Sequence, residues 1–195
     1  MATASVLTLA AGAAFGYVEV FTKGFERLPT QLCDGAVDRN LAEKVIPPAR
    51  KVKERGKFLP STFNFMFACY VRTDDSYLSG EAESGRATIE DWESLEEDSS
   101  RGKPEWLSVN GVRALAWEDR ALVYVPCTPR RQTGESDHDR ERSLIAESRA
   151  VGDTRVHGRE LRQVLVDFAY QMVRHTYKLG ECIEPRTFPD ELPRL

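Results

Sequence analysis

No charged side chain occurs from Met1 to Val18, and apolar or small residues recur at Leu7, Ala11, Ala14, Val18, Phe21, Phe25 and Leu28 in alternating steps of four and three. That is the helical period held over three heptads, and it predicts one helix that stops before Pro29. At about 1.5 Å per residue such a helix can cross a hydrocarbon core of about 30 Å and bring Glu19, Lys23, Glu26 and Arg27 to the interface. A second stripe, Ala4, Thr8, Gly12 and Gly16, includes a GxxxG spacing and predicts a helix-packing interface where another backbone approaches closely. The stretch holds few strongly apolar side chains, so a groove lined by protein suits it better than free lipid.

Beyond Leu28 the pattern changes. Residues 29–61 are punctuated by Pro29, Pro47, Pro48 and Pro60 and read as a connector with a short helix from Asp38 to Val45. Phe63, Phe65, Phe67, Cys69 and Val71 then alternate with other residues, the period of a buried strand. Thr88 stands three residues before Asp91, with Ile89, Trp92 and Leu95 on one face, and predicts a short capped helix. Two strand patterns, Trp106 to Val109 and Val112 to Trp117, flank Asn110-Gly111, a hairpin turn signal. A third strand, Ala121 to Val125, follows the turn at Glu118-Asp119-Arg120 and is closed by Pro126.

Residues 127–142 are polar and read as a loop. Helical patterns follow at roughly 141–150 and more clearly at 159–179, where Leu161, Val164, Leu165, Phe168, Met172 and His175 share a face and Gly180 supplies a stop. The tail, with Pro185, Pro189 and Pro193, is expected to be extended and docked through Phe188 and Leu192. The fold class expected is therefore α+β in four parts. A single membrane-type helix (1–28) and a basic connector (29–61) precede a small antiparallel meander packed with C-terminal helices (62–180) and a Pro-rich tail (181–195).

Charge adds a polarity to this picture. The chain has 195 residues, 41% of them hydrophobic, and a formal net charge of −4, which allows a sizeable core and excludes a strongly basic protein. Residues 1–60 carry nine basic and six acidic side chains, whereas 61–110 carry four and eleven. The positive end is Lys44, Arg50, Lys51, Lys53, Arg55 and Lys57; the negative end is Glu90, Asp91, Glu93, Glu96, Glu97 and Asp98. Either run serves as a solvated face. The basic one also suits anionic lipid headgroups or an acidic partner, because it follows the predicted membrane helix closely. Nucleic acid fits less well, since no aromatic residue is interleaved with these cations before Phe58.

Candidate chemistry is sparse. Cys33, Cys69, Cys127 and Cys182 form no CxxC pair, so the spacing predicts neither a zinc site nor a disulfide framework and favours a reducing compartment. Asp137-His138-Asp139 are adjacent and cannot all face one ion, and His157 and His175 lack metal-ligand spacing. Cys127 lies near Arg130 and Arg131 without the spacing of a phosphatase loop. Gly80, Gly85, Gly102 and Gly111 make no nucleotide fingerprint. No catalytic residue, metal or cofactor is assigned.

The function expected is a non-catalytic accessory or assembly subunit of a membrane protein complex, with other subunits as its partners. A mitochondrial inner-membrane energy-converting complex is one home for it. With Lys23, Arg27 and Arg39 beyond the helix, the positive-inside rule puts the C-terminal domain on the cytoplasmic or matrix side. The rival expectation is a soluble α+β enzyme or ligand-binding domain whose first helix belongs to the core, with a pocket between the sheet and the helix at 159–179.

Overall fold

The computed structural model describes residues 23–61, 64–97, 102–130 and 142–195. A small ribbon, β1 (Gln31–Leu32) and β2 (Val37–Asp38), leads into α1 (Arg39–Val45). Three strands follow: β3 (Lys53–Pro60), β4 (Phe65–Arg72) and β5 (Ser76–Gly85). After α2 (Ile89–Glu97) come β6 (Glu105–Val109), β7 (Val112–Ala116), β8 (Arg120–Pro126) and β9 (Ser143–Gly152), and the last element is α3 (Gly158–Leu179). The seven strands from β3 to β9 form one antiparallel sheet in the order β3-β4-β5-β9-β8-β7-β6. Two meanders, β3 to β5 and β6 to β9, thus meet where β5 and β9 pair along their full length from Ser76↔Gly152 to Gly85↔Ser143.

The inner face of this sheet is built to accept a helix at close range. One row of cross-strand neighbours runs Gly56, Cys69, Gly80, Ser148, Ala121, Ala116, all small. The apolar face predicted for the helix at 159–179 lies over that row, with Leu161, Val164, Leu165, Phe168 and Met172 buried. A Cβ on Gly80 would meet Met172 Sδ at 2.1 Å, and the Ser148 hydroxyl donates to the Leu165 carbonyl at 2.8 Å. The pocket expected between sheet and helix is therefore absent at this crossing: side chains fill it. The tail lies extended along α3, where the Tyr170 and Tyr177 hydroxyls donate to the carbonyls of Pro189 and Glu184 and Leu192 is buried.

Several local expectations appear as built elements. Asn110 and Gly111 both take positive φ, the conformation a tight hairpin turn needs, between β6 and β7. The Thr88 hydroxyl accepts the Asp91 N–H at 3.0 Å and caps α2.

The amino-terminal expectation is overturned. Lys23 forms a parallel bridge with Ala49, the Gly24 N–H donates to the Ala49 carbonyl at 2.8 Å, and Phe25–Arg27 make a single 3-10 turn. Phe25 is buried in the main core, so the helix does not continue to Leu28 and Lys23, Glu26 and Arg27 are no membrane-interface charges. Bridging wins over helix because Gly24 has no side chain: a Cβ there would lie 2.3 Å from the Ala49 carbonyl oxygen. Among the described residues no helix is long and apolar enough to cross a membrane. The longest, α3, carries Arg159, Glu160, Arg162, Asp167, Arg174 and Lys178. The single-pass anchor, the mitochondrial inner-membrane location and the membrane-complex subunit are corrected accordingly. The stripe Ala4, Thr8, Gly12 and Gly16, and with it Leu7, Phe15 and Phe21, lies outside the described residues.

Three further expectations change. The supposed connector supplies core: Leu32, Val37, Leu41, Ala42, Val45 and Ile46 are buried, and its basic end is the strand β3. The segment at 141–150, read as helical, is β9. Its Leu144, Ala146, Ser148 and Ala150 point inward as a strand's alternate residues do, and pairing on both edges overrides local helix propensity. The cysteines are not free thiols: Cys33 is bonded to Cys69 and Cys127 to Cys182. The argument from reduced thiols to a cytoplasmic or matrix side falls with them.

Candidate functional site

Among the described residues, the outer face of the sheet is covered on one half only. There Trp92 of α2 stacks on Tyr124, with ring centroids 5.3 Å apart, over Leu115, Trp117 and Leu122. The Tyr124 hydroxyl donates to the Ala87 carbonyl at 3.0 Å, which fixes the entry to the helix. With nine residues α2 is about 14 Å long and covers about three strands. Among the described residues, no helix lies over the outer face of β3, β4 and β5.

Alternation decides what that bare face displays. On β3 the outward positions are Lys53, Arg55, Lys57 and Leu59, and on β4 they are Met66, Ala68, Tyr70 and Arg72. Tyr77 stands beside them on β5. Together with Glu54 of the edge strand they line a trough of about 630 Å³ whose floor is the small, buried Ala68. Tyr70 and Tyr77 stack at 5.8 Å with 19° between their planes. One end of the trough is polar and aromatic; the other is apolar, formed by Leu59 and Met66.

Its electrostatics are one-sided. Lys53, Arg55, Lys57 and Arg72 make no ion pair or side-chain hydrogen bond with a described residue. Lys53 is also directly opposite Arg72, a like-charge cross-strand pair that opposes sheet formation. The nearby carboxylates hold donors other than these four cations. Glu54 points to the inner side and accepts the Cys33 N–H at 2.7 Å. Glu81 accepts the Tyr70 hydroxyl at 2.6 Å, while Glu147 accepts Arg120 at 3.0 Å and also pairs with Arg149. The hydrogen bond to Glu81, ahead of burial, pushes the Tyr70 phenol up to about 12, and burial raises Tyr77. Both tyrosines are neutral donors at physiological pH and add no negative charge to the trough.

The basic run read from the sequence is thus divided. Lys53, Arg55 and Lys57 share the face, Lys44 sits on α1 by Asp167, and Arg50 and Lys51 precede β3. Arg72, Tyr70 and Tyr77 were missed because they reach the cations through strand register. The objection that no aromatics are interleaved holds along the chain but not across the sheet. Only a paired-strand prediction for β4 and β5 exposes that signal.

Other candidate chemistry is accounted for. Cys127 is held in a disulfide and is no nucleophile. The Thr154 hydroxyl lies 3.1 Å from His157 Nδ1 at the start of α3. His175 packs on Phe67 at 4.9 Å and burial lowers its pKa. Asp137, His138 and Asp139 lie outside the described residues. Among the described residues no group of three or more His, Cys, Asp or Glu side chains is placed to hold a metal. Compared with protein-family models, curated proteins and solved structures, the chain matches none.

Proposed function

We propose that the chain is a ligand-binding domain that holds an anionic ligand on the open face of β3, β4 and β5. The observation that carries this reading is the gathering of Lys53, Arg55, Lys57 and Arg72 around Tyr70 and Tyr77, none of the four ion-paired with a described carboxylate although Glu54 and Glu81 stand close by. The Lys53↔Arg72 pair opposes the fold locally, and such conflicts between local energetics and structure concentrate at functional sites. An anion relieves the repulsion, while Tyr77 supplies a neutral donor and both tyrosines supply ring faces. The paired cysteines support work in oxidising surroundings, where disulfides persist.

The test is titration of the isotopically labelled full chain with inorganic tripolyphosphate, followed by amide chemical shifts. We expect shifts confined to β3, β4 and β5 that weaken as salt screens the charges. They should vanish when Lys53, Arg55, Lys57 and Arg72 are together replaced by Gln. Absence of shifts, or shifts centred on the Arg155, Arg159 and Arg162 region, would overturn the reading.

A further inference from the structure

We propose that the anionic ligand is an extended acidic peptide that adds to the free edge of β3 as another strand, an inference that rests on the binding face assigned above. β3 is the outermost strand. It pairs with β4 through an unbroken register from Lys53↔Arg72 to Pro60↔Phe65, and among the described residues no backbone hydrogen bond joins its other edge. Such an edge presents unpaired N–H and C=O groups, the template used in strand addition. It is eight residues long with no bulge in its register, and proline stands only at its end.

The charge pattern selects the occupant. Lys53, Arg55 and Lys57 recur every second residue, so their side chains stand on one face about 6.8 Å apart, twice the rise per residue. A β-strand laid alongside has the same repeat. Acidic residues at every second position of a peptide therefore fall opposite the three cations in register. One more step of two along β3 reaches Leu59, which is 36% exposed and beside Met66, so an apolar residue belongs at the next alternate position of the peptide. The same cations repel the edge of a second copy, so the charge that prevents self-pairing also chooses an acidic strand. The other face of β3 is closed to a partner. Cys33, tied to Cys69, lies against Gly56 there, and the Cys33 N–H engages Glu54.

The inference is tested on the full, oxidised chain with three probes. The first is a ten-residue peptide, Thr-Glu-Thr-Glu-Thr-Glu-Thr-Leu-Thr-Gly. The second is the same peptide N-methylated at alternate residues on the edge that would face β3, and the third is decathymidylate. We expect the first peptide to bind, to slow hydrogen exchange of the β3 amides, and to lose at least about tenfold in affinity on N-methylation, as removal of strand hydrogen bonds requires. Equal binding of the methylated peptide would overturn strand addition and leave the anion-binding face standing. Tighter binding of decathymidylate would replace the peptide with a single-stranded polynucleotide. If no probe bound and tripolyphosphate shifted no amide, both readings would fall, leaving the three cations as guards of an exposed edge.

Discussion

Single residues set how closely the layers of this protein approach, and two glycines do so against different neighbours. A Cβ on Gly56 would stand 2.5 Å from the Cys33 carbonyl carbon, whereas one on Gly80 would meet Met172 Sδ and Phe168 Cε1 at 2.1 and 2.8 Å. The first obstacle is backbone pinned by a disulfide. The second is the end of flexible side chains, which can move. Gly56→Ala is therefore expected to cost about 3 kcal/mol and Gly80→Ala about 1 kcal/mol, within the range for overpacked sites. Urea unfolding with unchanged slopes checks this, and the reverse order would show that Cys33 yields more readily than Met172. His175 offers a titration at the same scale. Burial, opposed by Asp34 and aided by Lys178, holds its pKa below the ordinary value, so the folded state favours the neutral ring. The unfolded chain then binds more protons. Stability from this group is fully present above about pH 6.5 and is lost as pH falls through the folded value. His175→Phe keeps a ring against Phe67, and the acid-side drop in the unfolding midpoint should shrink in that variant. An unchanged drop would assign the slope to other groups.

Elements differ in how openly the chain announces them, and the difference follows from where their partners lie. The β6–β7 hairpin, α2 and α3 carry their causes locally: Asn110-Gly111, the Thr88 cap, and an apolar face closed by Gly180. β5 has no such signature. After Leu78 its inward residues Gly80, Ala82 and Ser84 are small because α3 crosses above the strand, so apolar alternation is faint although every one is buried. β9 has the same inward economy, and its Leu, Ala, Glu and Arg content imitates a helix until two neighbours pair with it. β3 shows only its outward cations to a reader of the sequence, while Gly56 and Phe58 face inward. Half of the candidate site was therefore legible as a basic run. The other half, Tyr70, Arg72 and Tyr77, arrives through the register of β4 and β5, and no spacing along the chain contains it. The amino-terminal period misled because periodicity reports only that apolar faces exist. At Phe25 the face it marks belongs to this domain's own core.

At the scale of the whole molecule, two covalent ties fasten peripheral segments to the sheet. Cys33–Cys69 holds the β1–β2 ribbon against the back of the proposed binding edge, and Cys127–Cys182 holds the start of the tail to the end of β8. The tied residues are 36 and 55 apart in sequence, and loops of that size confer at most about 4 kcal/mol each by restricting the unfolded chain. A domain's net stability is only about 5 to 15 kcal/mol, so losing both ties removes a large share of it. The ties are not equally accessible: Cys33, Cys69 and Cys127 are fully buried, whereas Cys182 is partly exposed. Under limiting reductant, alkylation followed by mass spectrometry should therefore find Cys127 and Cys182 modified first. Binding of the acidic peptide should survive that step, because this tie is made at the end of β8, four places from β3 in the sheet, and the ribbon behind the edge is still fastened. Further reduction, or replacement of Cys33 and Cys69 together by Ser, should lower the unfolding midpoint and weaken the peptide in parallel, since Glu54 is then released from the Cys33 N–H and is free to pair with the neighbouring cations. Loss of binding at the first step would instead place the recognising surface near the tail.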